Sequence, residues 1–279
     1  MTHDPRTLVW LASYPKSGNT WLRAFLANYF IEGSEPVSIN EMQKISFGDS
    51  SAPAYADLGR SNPMMLTPAQ VVALRERHLE RVSRNAPTNF VKTHNANIRI
   101  VGRRLIPPRL TQAAVYIIRD PRDMVLSYAD HFGLNAAGAA AAVASPRNGV
   151  PTNTRTVMQF LGNWSDHVRS WAKAREFPVL VLRYEDMLAD PAGQFEKVLR
   201  LIGAPIDAGV LAQATRFCSF EVLAAQEAAT GFREQGSAQA RFFRKGVSGQ
   251  WRDALPDSIV ARIAADHGAT MKHYGYLTP

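Results

Sequence analysis

The feature that most constrains this fold is an apolar run that breaks into a short polar turn and resumes with helical spacing. Residues 7–13 (TLVWLAS) have the composition of a buried strand, and Thr20–Tyr29 has the periodicity of a helix. The turn between them, YPKSGNT, contains Lys16 and Gly18. A strand, turn and helix in this order direct backbone N–H groups and the helix dipole at one point, where an anion is stabilised. The turn lacks the Gly-Lys-Ser/Thr ending of ordinary nucleotide loops.

Three more strand-like runs follow along the chain. They are TNFVKTH (88–94), AAVYIIRD (113–120) and FPVLVLRYED (177–186). Helical patterns at Pro121–His131 and Pro191–Ile202 follow the last two runs. Near-continuous apolar strands alternating with helices predict a three-layer α/β fold with a central parallel sheet. The P-loop-like strand–turn–helix is then the expected anion site, because ligands of such folds lie at the carboxyl ends of the strands.

Length and composition predict one soluble domain spanning residues 1–279. Its 46% hydrophobic and 20% charged residues are typical of globular proteins. Variable loops are expected at about 33–68, 133–156, where a short alanine helix precedes the loop, and 226–241. The N-terminus lacks a signal-peptide layout, no apolar run suits a membrane span, and the single cysteine, Cys218, fits a reducing compartment. We therefore expect a cytoplasmic protein.

The chain carries 32 Lys and Arg against 24 Asp and Glu, a net charge of +8. This excess favours an anionic partner. Several cations stand inside compact motifs instead of a basic tail or run, which indicates a defined small anion and neither nucleic acid nor a membrane surface.

YPKSGNTW resembles the 5′-phosphosulfate loop of the cytosolic-type sulfotransferases, which use 3′-phosphoadenosine 5′-phosphosulfate (PAPS). The family includes small-molecule enzymes of bacteria, and its common form has Thr in place of Asn19. The resemblance implies a binding loop made of Lys16, Ser17, Gly18, Asn19, Thr20 and Trp21. From the residues alone, Lys16 can reach developing negative charge, Gly18 suits a left-handed turn, and Thr20 can cap the helix or donate to an anion.

A second phosphate site is predicted in VYIIRDPRDMVLSY (115–128). Arg119 ends the strand and Ser127 lies about two helical turns later, so both can contact one phosphate. They match the family's 3′-phosphate motif, and Arg244-Lys245-Gly246 matches its C-terminal Arg-Lys-Gly-x-x-Gly signature, with Gly249 as the second glycine. The resemblance also implies contacts from Tyr184, Ser219 and Phe220 to the adenine and phosphate. Gln250-Trp251-Arg252 replaces the usual Asp-Trp-Lys.

FVKTHNA places Lys92 and His94 two residues apart, so both face the same side of a strand. Histidine can take a proton from a hydroxyl near neutral pH. The family has its catalytic base in a matching Lys-x-His, which implies in-line sulfuryl transfer from PAPS to a hydroxyl, leaving a sulfate ester and PAP. Lys16 then stabilises the leaving phosphate, Lys92 neutralises the sulfuryl oxygens, and Ser127 holds Lys16 until the acceptor binds. No metal is expected, since no cluster has metal-ligand spacing.

The acceptor is expected to be a small phenol or alcohol. Apolar side chains in or beside the variable loops either line its pocket, with His131 beside them, or are ordinary packing under those loops: Phe47, Tyr55, Met64, Met65, Phe132, Phe232, Phe242 and Phe243. The other histidines are expected to be structural (His3, His78, His167, His267 and His273). The family's Lys-x-x-x-Thr-Val-x-x-x-Glu dimer motif is not recognisable, so a homodimer requires another interface. Alternatives are a carbohydrate-type sulfotransferase, a P-loop kinase, or a nucleotide-binding module without transfer activity.

Overall fold

A five-stranded parallel sheet runs through the computed structural model, which describes residues 6–235 and 241–277. Its strand order is β2-β3-β1-β6-β9, and every neighbouring pair is parallel. Two antiparallel pairs, β4-β5 and β7-β8, lie outside it. The strands of the described residues are β1 (Leu8–Ser13), β2 (Ser46–Gly48), β3 (Asn89–Thr93), β4 (Arg99–Ile100), β5 (Arg103–Arg104), β6 (Thr111–Ile118), β7 (Gly149–Val150), β8 (Gln159–Phe160) and β9 (Val179–Arg183).

Helices connect the strands and cover the sheet. Within the described residues, three short 3₁₀ turns lie at Ile39–Lys44, Pro63–Met65 and Pro108–Leu110. The α-helices of the described residues are α1 (Asn19–Phe30), α2 (Ala52–Gly59), α3 (Pro68–Val82), α4 (Pro121–Phe132), α5 (Ala136–Ala144), α6 (Trp164–Ala172), α7 (Tyr184–Ala189), α8 (Pro191–Ile202), α9 (Ala208–Phe217), α10 (Phe220–Thr230), α11 (Trp251–Ala254) and α12 (Asp257–His273).

Alternate residues of the central strands enter two different cores. Leu8, Trp10 and Ala12 of β1 pack with residues of α3, α4, α5, α6 and α12. Val9 and Leu11 pack on the other face with residues of α1, α8 and α9. Because side chains of a strand alternate between faces, this distribution makes the sheet the middle of three layers. The predicted α/β fold with a parallel sheet is therefore confirmed.

Four of the five strands of the sheet were predicted from the sequence, but the end of one strand and the structure of the segment 33–68 were not. The run 177–186 is strand only to Arg183, and its last residues begin α7. The expectation that 33–68 is irregular was wrong, because this segment contains the edge strand β2, helix α2 and two 3₁₀ turns. A strand of three residues is too short for its periodicity to be visible, and it forms by pairing with β3.

The other two segments expected to be loops, 133–156 and 226–241, each contain helical residues. The alanine helix predicted within 133–156 is present as α5. Helix α10 continues to Thr230, inside the segment 226–241. Residues 236–240 of that segment lie outside the described residues. His3, which was expected to be structural, also lies outside them. In residues 6–235 and 241–277, no helix combines the length and apolarity that crossing a bilayer requires.

A buried ion pair fixes the segment after β2 to the rest of the molecule. Asp49 and Arg75 are 2% and 3% exposed, and the Arg75 guanidinium donates to the Asp49 carboxylate. The carboxylate also accepts from Asn95 Nδ2 at 3.1 Å and from Ser50 Oγ at 2.7 Å. Burial alone would raise the pKa of Asp49, but the charge of Arg75 and hydrogen bonds from Thr93, Arg75 and Ser50 lower it below its usual value. Asn95 follows His94 directly, so this network also supports the strand end that carries His94.

We expect Arg75→Met to lower the free energy of unfolding by about 3–5 kcal/mol, because it leaves the buried Asp49 carboxylate unpaired. Urea unfolding followed by circular dichroism measures this change. The matched control is Arg81→Met, which removes an exposed ion pair with Asp57 and should cost about 0–1 kcal/mol. Equal effects of the two substitutions would contradict a structural role for the buried pair.

Candidate active site

The turn between β1 and α1 has the conformation of an anion-binding loop. Lys16 and Gly18 both have positive φ, 69° and 109°, and Gly18 is the N-cap of α1. A Cβ on Gly18 would stand 2.8 Å from Tyr184 Cδ2, so only glycine fits this approach. Left-handed residues in such a turn and the start of a helix gather backbone N–H groups into a concave site for negative charge.

Asn19 differs in its contact, and Thr20 in its helix position, from what the sequence indicated. Asn19 Nδ2 donates to the Leu11 carbonyl at 2.8 Å, which ties α1 back to β1. Although Asn19 was predicted to belong to the binding loop, its amide nitrogen is therefore used within the protein. Thr20 is the second residue of α1 and not its cap, so the capping alternative was wrong, while its side chain lines the cavity described below.

The Lys16 ammonium is buried against an aromatic ring instead of a carboxylate. Its Nζ lies 3.6 Å from the centroid of the Phe242 ring. Among the residues that the structure describes, this nitrogen has no hydrogen-bond partner. Burial lowers the pKa of Lys16 to about 7, and Arg119 and Lys92 add to the effect against the opposing influence of Asp130. A bound anion would supply the missing countercharge.

Arg119 connects three parts of the site. Its guanidinium donates to the Lys16 carbonyl at 3.3 Å and to the Val247 carbonyl at 3.2 Å, and it lies 4.4 Å from the centre of the Tyr184 ring. Arg119 Nε and Ser17 Oγ, like Lys16 Nζ, are buried atoms without a hydrogen-bond partner in the described part of the chain. Orphaned buried donors of this kind are uncommon, and here they cluster around one turn.

The C-terminal loop is held against this turn by Asp123. The buried Asp123 carboxylate accepts the backbone N–H groups of Gly249 and, at 2.9 Å, of Trp251. In this loop Gly246 has φ 64°, and a Cβ on it would enter the Phe220 ring at 2.3 Å. The predicted contact residues Arg244, Lys245 and Gly246 are thereby carried to the cavity, with the first two exposed at its edge.

Tyr184 and Trp21 form an aromatic wall of the site. Their rings meet edge to face at 5.9 Å, and Trp21 meets Phe195 in the same way at 5.7 Å. Ser219 is the N-cap of α10, where its Oγ accepts from Val222 N–H at 3.4 Å. An aromatic wall beside an anion-binding turn suits a nucleotide base.

His94 stands just after β3 with its ring orientation fixed. Its Nδ1 lies 2.9 Å from the Ser13 carbonyl and 3.3 Å from Ser13 Oγ. A carbonyl only accepts, so Nδ1 carries the hydrogen and Nε2 is left as the basic nitrogen. Burial and, after it, the charge of Lys92 lower the pKa of His94 to about 3, so the ring is neutral at working pH. This is the protonation state that a general base requires.

Hydrogen bonds through the buried side chains of His167 and Tyr116 hold the backbone carbonyl of His94 in place. His167 Nε2 lies 3.0 Å from the His94 carbonyl, and Tyr116 Oη lies 2.8 Å from His167 Nδ1. Burial lowers the pKa of His167 to about 4, so the neutral ring donates to the carbonyl and accepts from Tyr116. His167 is fully buried and supports the fold, as the sequence indicated.

All but one of the predicted site residues line a single cavity of about 1120 Å³. The exception is Ser17, which is buried beneath the turn. The cavity thus joins the β1 turn, the end of β3 with His94, and the Arg119–Ser127 region. The predicted residues that line it are Lys16, Gly18, Asn19, Thr20, Trp21, Lys92, His94, Arg119, Ser127, Tyr184, Ser219, Phe220, Arg244, Lys245 and Gly246.

Only some of the candidate residues for the acceptor pocket line the cavity. Of the eight apolar candidates, those among the cavity-lining residues are Phe132, Phe242 and Phe243, and His131 lines it too. Phe47 and Tyr55 instead pack in the core. Met64 and Met65 are exposed, and Phe232 is buried against Phe242 and Phe243. Polar residues that the sequence did not single out complete the lining, among them Ser51, Asn153, Thr154, Arg155, Thr156 and Gln159.

Arg23 and Glu234 are further site residues that sequence reasoning missed. Glu234 binds Lys92 Nζ at 2.6 Å and Arg23 Nη1 at 2.8 Å, and all three residues line the cavity. The only available signal was a carboxylate in the polar segment 226–241, which no local pattern links to α1 or β3. In the described ranges, no group of three His, Cys, Asp or Glu side chains is arranged to hold a metal.

The sequence matches the sulfotransferase domain over residues 6–275. It is similar to flavonol 3-sulfotransferase of Flaveria bidentis, with 26% identity over 267 residues that cover 91% of this chain and 78% of the relative. It is also similar to sulfotransferase 1B1 of Canis lupus familiaris, with 26% identity over 251 residues, 87% of this chain and 76% of the relative.

Solved structures share the fold. Mouse sulfotransferase SULT7A1 complexed with PAP has a TM-score of 0.62 and 20% identity, over 96% of this chain and 85% of the other. Retinol dehydratase in complex with androsterone and PAP has a TM-score of 0.61 and 19% identity, over 96% of this chain and 81% of the other.

We expect Lys16→Met to raise the melting temperature of the ligand-free protein by about 2–4 °C, because it removes a buried cation that lacks a countercharge. The same change should greatly reduce the thermal shift produced by PAP. Differential scanning fluorimetry with and without PAP measures both effects. Lys272→Met, on the exposed surface of α12, is the control and should change neither. A lower melting temperature in Lys16→Met without PAP would contradict the uncompensated charge.

Asp123→Asn is expected to weaken PAP binding about tenfold, which corresponds to about 1.4 kcal/mol. An amide oxygen can accept from one backbone N–H of the C-terminal loop, but the amide NH₂ faces the other donor. Isothermal titration calorimetry gives the dissociation constant. Asp253→Asn, an exposed substitution on α11, serves as the control and should leave binding unchanged. Unchanged affinity in Asp123→Asn would show that the loop does not depend on this carboxylate.

Proposed function

This chain belongs to the sulfotransferase family, and we propose that His94 is the general base for transfer of the sulfuryl group of PAPS to a small phenol or alcohol. As a family member the protein is a PAPS-dependent sulfotransferase, whose products are a sulfate ester and PAP. The observation that carries the role of His94 is its hydrogen bond to the Ser13 carbonyl, which leaves Nε2 as the proton-accepting nitrogen of a histidine that lines the same cavity as Lys16.

The residues around the β1 turn fit the phosphosulfate end of this donor. Lys16 Nζ is a buried donor without a hydrogen-bond partner among the described residues, and the N-terminus of α1 adds backbone N–H groups. We assign the 5′-phosphosulfate to the loop Lys16–Trp21. The 3′-phosphate is assigned to Arg119, Ser127 and the loop Arg244–Gly246, and the adenine to the aromatic wall with Ser219 and Phe220.

Bound PAPS supplies a sulfuryl group whose bond to the bridging oxygen of the 5′-phosphate breaks as the acceptor oxygen bonds to sulfur. His94 Nε2 takes the acceptor's hydroxyl proton during this attack. Lys16 balances the charge that develops on the leaving phosphate, and Lys92 faces the sulfuryl oxygens. We propose that Ser127 restrains Lys16 before the acceptor binds. Catalysis then rests on positioning and on fixed positive charge.

The acceptor is proposed to be a phenol or an alcohol with further polar groups. Phe132 and Phe242 provide apolar surface in the cavity, while Asn153 and Thr156 provide hydrogen-bonding groups. The flavonol specificity in the name of one relative supports a hydroxylated aromatic acceptor. An aromatic ring against the apolar wall would leave its other hydroxyls facing the polar segment 153–156.

Three broader proposals concern the protein as a whole. The match over residues 6–275 supports one sulfotransferase domain. We propose that it acts in the cytoplasm on small molecules, without nucleic acid or membrane partners. Any homodimer is proposed to use an interface other than the family's C-terminal motif.

We expect His94→Ala to reduce kcat about 10²–10⁴-fold, because it removes the proton acceptor from the reacting hydroxyl. The thermal shift produced by PAP should persist, since PAP lacks the sulfuryl group and the acceptor. Turnover of PAPS is measured with panels of phenols, aliphatic alcohols and sugars.

His273→Ala, on the exposed end of α12, is the matched control and should retain full activity. Unchanged kcat in His94→Ala would exclude this residue as the base. Turnover confined to sugars would instead favour the carbohydrate-type alternative.

A further inference from the structure

A carboxylate from the segment after α10 reaches across the cavity to the lysine beside the base. Glu234 Oε2 lies 2.6 Å from Lys92 Nζ, and Glu234 Oε1 lies 2.8 Å from Arg23 Nη1. We propose that Glu234 is a positioning residue for sulfuryl transfer, which sets the place of the Lys92 ammonium. This inference rests on the role proposed above for Lys92.

Arg23 fixes the position of Glu234. The Arg23 side chain is 4% exposed on α1, and its Nε donates to Ser46 Oγ at 2.9 Å. Ser46 Oγ in turn donates to the Met42 carbonyl at 3.1 Å, so the guanidinium is anchored to α1, β2 and the preceding 3₁₀ turn. An anchored guanidinium holds a carboxylate in a defined orientation. The anchoring passes from Arg23 through Glu234 to Lys92.

Lys92 needs an anchor because its side chain is long and flexible. It projects from β3 on the same side as His94, and its ammonium has three donors. One donor is used by Glu234, and among the described residues the other two have no hydrogen-bond partner, so they can contact oxygens in the cavity. An ammonium held in advance loses less conformational freedom when it contacts the sulfuryl oxygens.

Glu234 stays ionised in this position. Burial alone would raise its pKa, but the charges of Lys92 and Arg23 outweigh that effect and lower the pKa well below its usual value. Two cations and one carboxylate leave a net charge of +1 in this group. The carboxylate therefore orients Lys92 without cancelling the positive charge of the group as a whole.

The opposite role for Glu234 predicts a different result. If the Glu234 carboxylate only competed with PAPS for Lys92, it would oppose binding of the anionic sulfuryl group. Its neutralisation would then raise kcat/KM. Positioning predicts that neutralisation lowers kcat, because Lys92 is no longer held in place.

A double-mutant cycle in the full chain tests the inference. The variants are Glu234→Gln, Lys92→Met and the two combined, assayed with saturating PAPS and the best acceptor of the panel. We expect Glu234→Gln to lower kcat about 10–30-fold in the native background and less than about threefold in the Lys92→Met background, because residues that act as a unit are not additive. Glu234→Asp should recover part of the loss.

Two further measurements separate positioning from a general loss of structure. The thermal shift caused by PAP should persist in Glu234→Gln, because PAP lacks the group that Lys92 faces. Glu234→Gln leaves the buried Arg23 guanidinium without its carboxylate. The double variant Arg23→Met, Glu234→Gln removes that buried cation as well, and it should show the same loss of kcat. Glu196→Gln, which breaks an exposed ion pair with Arg200 on α8, is the control and should have no effect.

Three results would overturn the inference. They are unchanged or higher kcat/KM in Glu234→Gln, an equal loss in both backgrounds, or failure of PAP to bind any Glu234 variant. If Lys92→Met alone leaves kcat unchanged, the role proposed for Lys92 is wrong and the inference about Glu234 fails with it. If Lys92→Met is impaired and Glu234→Gln is not, only the inference about Glu234 fails.

Discussion

The concentration of positive charge at the carboxyl edge of a parallel sheet is the constraint on which this site depends. Strands β1, β3 and β6 run side by side, so Lys16, Lys92 with His94, and Arg119 come from distant parts of the sequence to one cavity. Cations brought this close repel one another and lose solvation. The two apolar cores on the faces of the sheet hold the strand ends in place despite this repulsion. The same arrangement makes the cavity complementary to a ligand with several negative groups.

The two lysines of the cavity are balanced in different ways. Lys16 lies against the Phe242 ring, and burial lowers its pKa to about 7, so a part of the ligand-free molecules carries no charge there. Lys92 has the Glu234 carboxylate beside it, at 2.6 Å. Charge on Lys16 thus depends on a bound anion, whereas Lys92 has a carboxylate partner within the protein. This difference suits the roles proposed for Lys16 at the leaving phosphate and for Lys92, held in place in advance, at the sulfuryl oxygens.

Sequence reasoning found those parts of the site that are local. The β1 turn, Arg119 with its helix, and Lys92 with His94 each lie within a few residues, where strand and helix periodicity fixes their relative placement. It could not predict β2, which forms only by pairing with β3. It could not predict the ion pair of Asp49 with Arg75 either, because the two residues come from different parts of the chain. For Phe47 and Tyr55 the sequence left open whether they line the acceptor pocket or pack beneath the loops, because aromatic composition does not distinguish a cavity wall from a core. Both pack in the core. The contact of Glu234 with Arg23, 211 residues away in the chain, likewise has no local pattern.

The low pKa of His94 connects the proposed base to the proposed donor site. A ring that is half-protonated only near pH 3 is always ready to accept a proton, but it holds that proton weakly. Burial and the charge of Lys92 cause this weakness, and the negative charge of a phosphosulfate beside Lys92 opposes the second cause. The basicity of His94 should therefore rise when the donor is in place. Because the Ser13 carbonyl already fixes the tautomer, the bound donor needs to change only the local charge and not the orientation of the ring. Proton removal from an acceptor is thereby favoured when a sulfuryl group is present to receive the oxygen.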